Sequence, residues 1–75
     1  MSCNGHKNWN HWNVSLWIAN DEGLYSLAKS CLRHGRTRGR AAELLLAELR
    51  ELGCDHTPDG APYTRTSIRA ALAGL

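Results

Sequence analysis

A cluster of positive charge lies in the middle of the chain, in the stretch KSCLRHGRTRGR. The stretch has no acidic residue, and clustered arginines neutralise phosphate charge when they bind nucleic acid. An acidic protein surface is an equally good target for such a cluster. The alternative is a solvated link whose arginines pair with Glu43 and Glu48. The residues predicted to bind a partner here are Lys29, Arg33, Arg36, Arg38 and Arg40.

The cysteines and histidines offer little for metal binding or catalysis. A structural zinc site needs four ligands, usually from two tight pairs. The two pairs nearest the ends could meet if the termini packed together, whereas Cys31 is predicted on an apolar helix face, where a buried thiol is ordinary. We predict no metal and no cofactor. The three pairs are Cys3 with His6, Cys31 with His34, and Cys54 with His56.

Enzymatic activity is not expected either. The sequence has neither a glycine-rich phosphate loop nor a nucleophile elbow. A domain of 75 residues also has little room for a deep pocket with supporting residues around it. We therefore predict a protein that acts by binding.

All three tryptophans lie in the segment KNWNHWNVSLWIAND, in a chain that has no phenylalanine. Trp9 and Trp12 share one helical face and are predicted to form a core pair. Trp17 is offset from them by more than a right angle, so it is the predicted exposed aromatic contact, either for a partner or for a second copy of the chain. Tryptophan is enriched at binding hot spots.

Composition indicates a single globular domain. Hydrophobic residues make up 43% and charged residues 21% of the chain. The formal charge of +2 is too small to imply nucleic acid by itself. Neither a signal-peptide pattern nor an apolar run near the roughly 20 residues of a membrane span is present, so we expect no membrane association. Three cysteines form an odd set, which favours a reduced, cytoplasmic protein over a disulfide scaffold.

The apolar residues recur at helical spacing in four segments. The first runs from about residue 8 to 19, and the second from about 22 to 33. Asn20 or Asp21 is the predicted cap of the second helix, and Gly35 its predicted stop. The stretch RHGRTRGR, residues 33–40, is predicted to be a polar basic link, in which Thr37 caps the third helix.

The third and fourth helices have clear end signals. Gly53 is predicted to end the third helix in the left-handed conformation. Turn chemistry follows around Pro58 and Gly60, and Thr64 or Thr66 caps the last helix. The sequence therefore predicts an all-α fold, a compact bundle of about four short helices. Residues 1–7 are predicted to be a loose lead-in to a single helical domain at residues 8–75.

The tryptophan segment resembles the opening of a family of short proteins encoded by phages and plasmids. In that family an Asn-aromatic pair is followed by Trp, Val, Leu, Trp and Asn-Asp. The matching positions are Asn8, Trp9, Trp12, Val14, Leu16, Trp17, Asn20 and Asp21. The resemblance implies an accessory product of a mobile element, acting in the cytoplasm of the host bacterium. Some small proteins from such loci inhibit host defences, CRISPR systems included, by binding an effector.

The segment ELRELGCDHTPDGAPYTRTSIRAAL is similar to part of the DNA-binding region of large serine recombinases. The matching positions are Leu52, Gly53, Thr57, Pro58, Gly60, Tyr63, Ile68, Arg69 and Leu72, although CDH lengthens the link and the catalytic domain is missing. The resemblance implies that Arg65 and Arg69, one turn apart on the last helix, face DNA. The alternative is a helical hairpin with solvated arginines.

Three functional hypotheses follow. The first is a non-enzymatic, anti-CRISPR-like inhibitor that binds a host protein or a nucleoprotein effector complex. The second is a small DNA-binding regulator of helix-turn-helix type. The third is a structural or assembly protein that dimerises through Trp17. The sequence leaves the choice between monomer and dimer open.

Overall fold

The computed structural model describes residues 9–75, which form four α-helices and no β-strand within that range. The helices are α1 (Trp9–Asn20), α2 (Glu22–Gly35), α3 (Arg38–Glu51) and α4 (Arg65–Leu72). The predicted all-α class with four short helices is confirmed. The predicted lead-in at residues 1–7 and the predicted helix start at Asn8 lie outside the described residues. None of the four helices has the length and hydropathy needed to cross a bilayer.

The helices pack as a closed ring around one core. α1 contacts α2 and α4, and α3 contacts the same two helices from the other side. Because every helix has two neighbours, each must present an apolar face that is wide enough to serve both. The core residues are Val14, Ile18, Ala28, Cys31, Ala41, Ala42, Leu45, Leu49, Ala61, Tyr63, Ile68, Ala71 and Leu72.

The core is mainly aliphatic, which contradicts the predicted tryptophan core pair. Trp9 is 39% exposed, Trp12 is half-buried, and neither belongs to the buried cluster. The fully buried apolar positions of α1 are Val14 and Ile18, one turn apart. Helical periodicity placed Trp9 and Trp12 on one face, whereas the residues that the neighbouring helices cover, Val14 and Ile18, lie on the other side of α1.

Side-chain caps fix the starts of α2, α3 and α4. The Asp21 carboxylate accepts a hydrogen bond from the Leu24 N–H at 2.9 Å, and the Thr37 hydroxyl accepts one from the Arg40 N–H at 3.1 Å. Thr64 and Ser67 each bond the other's backbone N–H at 3.0 Å, which is a capping box. Of the predicted alternatives, Asp21 and not Asn20 caps α2, and Thr64 and not Thr66 caps α4.

The connection between α2 and α3 is shorter than predicted. Gly35 is still helical, and Arg36 takes the left-handed conformation at φ 71°. A β-carbon at position 35 would lie 2.7 Å from the backbone nitrogen of Ala41, so glycine there lets the end of α2 approach α3. The predicted basic link therefore shrinks to Arg36 and Thr37, and Arg38 opens α3.

A polar contact holds the turn before α4 against α1. Asn13 and Trp17, one turn apart on α1, donate hydrogen bonds of 2.8 and 2.9 Å to Oδ2 of Asp59. The Thr57 hydroxyl donates to the side-chain oxygen of Asn13 and accepts from the N–H of Ala61 at 3.0 Å. Because Asn13 and Thr57 are buried, this bonding satisfies polar groups that would otherwise destabilise the fold. We call these residues the α1–turn contact.

Candidate functional site

The ring of helices brings together two sets of arginines that are far apart in the sequence. Arg36 and Arg38 lie at the α2–α3 connection, whereas Arg65 and Arg69 lie one turn apart on α4. Because α3 and α4 pack side by side, all four line one cleft, with a volume of about 580 Å³. Thr37 and Gly39 complete its lining.

A second cleft lies on the other side of the same α4 arginines. It has a volume of about 430 Å³ and lies between α1 and α4. Its lining residues are His11, Arg65, Thr66, Arg69 and Ala70. Arg65 and Arg69 line both clefts, which are therefore adjacent. We call the two clefts together the arginine groove.

Gly39 leaves room for the guanidinium groups at the floor of the groove. A β-carbon at this position would lie 3.4 Å from Nη2 of Arg65 and 3.8 Å from Nε of Arg69. Both α4 side chains therefore reach across to the first turn of α3. A side chain larger than alanine at position 39 would occupy space in which these two groups converge.

The charge of the groove is incompletely balanced. Glu43 bonds Arg40 at 3.0 Å and Arg65 at 3.2 Å. Within residues 9–75, the structure shows no ion pair for Arg36, Arg38 or Arg69. The lining residues of the two clefts include no acid. Several guanidinium groups can thus meet an anionic ligand without first giving up a carboxylate.

The predicted basic patch separates into two parts. Arg36 and Arg38 line the groove, and Arg40 is beside it in its bond with Glu43. Lys29 and Arg33 are exposed on α2 and do not line the groove; Lys29 Nζ lies 5.7 Å from the centre of the Tyr25 ring. The predicted alternative of pairing with Glu43 applies to Arg40, while no arginine of the described chain pairs with Glu48.

Arg65 and Arg69, the residues predicted to face DNA, are exposed and belong to the groove. Trp17, the predicted aromatic contact, is half-buried, and its indole N–H is bonded to Asp59. Sequence reasoning named Glu43 as a partner for the arginines of the basic stretch but did not single out His11 or Gly39 as parts of a charged site. The relevance of these two residues depends on helix packing, since neither a glycine nor a lone histidine on a helix face carries a distinct pattern.

Within residues 9–75, the titratable groups outside the groove show no catalytic arrangement. Burial, and secondarily the charge of Glu48, raises the pKa of the Cys31 thiol, which disfavours the reactive thiolate. The exposed Asp55 carboxylate lies 3.0 Å from Nδ1 of His56, and the hydrogen bond between them lowers the pKa of Asp55. In the described part of the chain, no three residues of metal-ligand type are close enough to hold an ion.

The fold and the groove define a small all-α domain with an arginine-lined surface groove. The chain belongs to DUF7249, a family of unknown function, whose model matches residues 1–73. No curated protein and no solved structure matches the chain.

Proposed function

We propose that this protein is a non-enzymatic binding protein whose arginine groove contacts the phosphate backbone of a nucleic acid. The observation that carries the proposal is the convergence of Arg36 and Arg38 with Arg65 and Arg69 in one groove. Arginine presents a planar fork that bonds phosphate oxygens two at a time. Phosphate contacts of this kind supply most of the affinity of non-specific nucleic-acid binding.

The lining of the groove favours a nucleic acid over an acidic protein surface. Beside the arginines, the described residues of the lining are a histidine, a glycine, an alanine and two threonines, with no large apolar side chain among them. Protein–protein interfaces draw most of their binding energy from buried aromatic and apolar anchors at the centre. A groove without such an anchor depends on charge and hydrogen bonding, which suits a ligand with repeated phosphates.

The anti-CRISPR-like inhibitor function, the mobile-element origin and the cytoplasmic location remain predictions of the sequence resemblance. The groove is compatible with a nucleoprotein effector as partner, because the nucleic acid of such a complex carries the same phosphates. Dimerisation through Trp17 also remains a prediction. The bonded, half-buried indole gives it no added support.

The proposal is tested with two triple variants that remove the same charge from different places. The groove variant carries Arg36→Ala, Arg38→Ala and Arg69→Ala. The control variant carries Lys29→Ala, Arg33→Ala and Arg50→Ala, three exposed cations that do not line the groove. Fluorescence anisotropy with a labelled DNA duplex, at about 0.1 M salt, gives the affinity of each.

We expect the groove variant to lose about 30- to 100-fold in affinity, since three charge-assisted contacts disappear. The control variant should lose less than about threefold. Poly-glutamate serves as competitor and should displace the duplex only in large excess. A wild-type protein that binds poly-glutamate as tightly as DNA would contradict the nucleic-acid assignment and favour an acidic protein partner.

A further inference from the structure

The carboxylate of Glu43 occupies two arginines at the edge of the groove. Its Oε1 lies 3.0 Å from Nη1 of Arg40, one turn earlier on α3, and its Oε2 lies 3.2 Å from Nε of Arg65 on α4. Each carboxylate oxygen therefore holds one guanidinium group. Of the two partners, Arg65 is the one that lines both clefts.

This bridge contributes little to the stability of the fold. The Glu43, Arg40 and Arg65 side chains are 44%, 62% and 57% exposed. Exposed ion pairs contribute about 0–1 kcal/mol, because water and salt screen them and the long side chains lose conformational freedom. The packing of α3 on α4 instead buries residues of the core such as Leu45 and Ile68.

The bridge has a larger consequence for ligand binding. A phosphate that approaches Arg65 meets a guanidinium group already bonded to a carboxylate and a negative charge beside it. Binding there requires the Arg65–Glu43 bond to open or to be shared. We infer that Glu43 is the internal counter-ion of the groove: its carboxylate competes with phosphate for Arg65 and limits nucleic-acid affinity. This inference rests on the proposed function.

The test compares Glu43→Gln with Glu51→Gln. Both remove one negative charge from α3, and Glu51 is exposed at its last position, outside the groove. Each variant is titrated into a labelled DNA duplex by fluorescence anisotropy at several salt concentrations. Circular dichroism and thermal unfolding confirm that both remain folded.

Glu43→Gln should bind about three- to tenfold more tightly than wild type, because a charge close to the bound phosphates acts much more strongly than a distant one. Its slope of log affinity against log salt should steepen by roughly one, since Arg65 becomes free to neutralise a further phosphate. Glu51→Gln should change affinity less than about twofold. Adding Arg65→Ala to Glu43→Gln should abolish most of the gain.

The outcomes distinguish a failure of the competing role of Glu43 from a failure of the proposed nucleic-acid binding. If wild type binds the duplex and Glu43→Gln behaves like Glu51→Gln, or binds more weakly, the competing role of Glu43 is contradicted and the proposed function stands. A weaker Glu43→Gln would show that the carboxylate orients Arg65 for the ligand instead. If wild type and both variants fail to bind any duplex even at low salt, the proposed function fails, and the inference fails with it.

Discussion

The α1–turn contact and the arginine groove use polar side chains in opposite ways. In the contact, the Asp59 carboxylate accepts bonds from Asn13 and Trp17, and Thr57 is bonded on both sides. In the groove, Arg36, Arg38 and Arg69 have no ion pair within residues 9–75. Polar groups that close the fold are satisfied internally, whereas these three arginines remain available to a ligand.

The α1–turn contact and the arginine groove also differ in burial. Every buried side-chain nitrogen and oxygen of the described chain has a hydrogen-bond partner, as the stability of a small domain requires. Arg36, Arg38 and Arg69 are exposed, so the absence of an ion pair within residues 9–75 costs the fold little. This difference explains why mutations in the two regions should separate stability from binding.

The largest effect on stability is expected for Asn13→Ala. The change removes the amide that bonds both Thr57 and Asp59, and it leaves the buried Thr57 hydroxyl without its acceptor. The free energy of unfolding should fall by about 1–3 kcal/mol, which lowers the midpoint of thermal unfolding by several degrees. Asn10→Ala, at a half-buried position of α1 whose side chain makes no hydrogen bond to residues 9–75, is the control. Equal stability of the two variants would contradict a structural role for the α1–turn contact.

Substitutions at Gly39 should lower DNA affinity without lowering the stability of the fold. Gly39→Leu places a side chain where the Arg65 and Arg69 guanidinium groups converge, so DNA affinity should fall about tenfold, which corresponds to about 1.4 kcal/mol. Gly39→Ala adds only the β-carbon, whose nearest contact would be 3.4 Å, and should keep most of the affinity. Both variants should unfold at or above the wild-type temperature, since glycine is the weaker helix former. If the fold requires glycine at position 39, both variants would instead unfold at a lower temperature than wild type.

A smaller effect is expected on the pH dependence of stability. Hydrogen bonds from Asn13 and then from Trp17 lower the pKa of Asp59 below its ordinary value. The carboxylate form is therefore favoured by folding, and its contribution is present above the unfolded pKa of about 3.9. It is lost as the pH falls through the lower pKa of the folded state.

The experiment is an acid titration followed by tryptophan fluorescence, with Asp59→Asn beside wild type. Asp59→Asn cannot titrate at this position, so its stability should fall less steeply than that of wild type below about pH 4. Asp55, whose pKa the hydrogen bond from His56 also lowers, supplies part of the remaining acid sensitivity. Parallel acid curves for wild type and Asp59→Asn would mean that the Asp59 bonds do not persist in solution.

The sequence alone identified the helices well, because their signals are local. Helical spacing indicated four segments, and short polar residues such as Thr37 and Thr64 indicated where two of them begin. The end of α2 was predicted at about residue 33, two residues early, because the helix continues to Gly35, which allows close packing against α3, and Arg36 takes the left-handed conformation.

The long-range features could not be predicted. Asn13 is an ordinary polar residue of a helix unless one knows that Thr57 and Asp59 meet it from 44 and 46 positions away. Trp9 was predicted to lie in the core because it shares a helical face with Trp12, yet no neighbouring helix covers its side chain fully. The two arginine sets were each recognised, but their union in one groove depends on α4 packing beside α3.

The central claim is that the groove, and not overall charge, binds phosphate. The most direct measurement is the slope of log affinity for a DNA duplex against log salt in the two triple variants, which have equal net charge. Each phosphate contact contributes about 0.9 to this slope. The groove variant should be shallower than wild type by roughly two to three, and the control variant should keep the wild-type slope. Equal slopes in both variants would contradict the account.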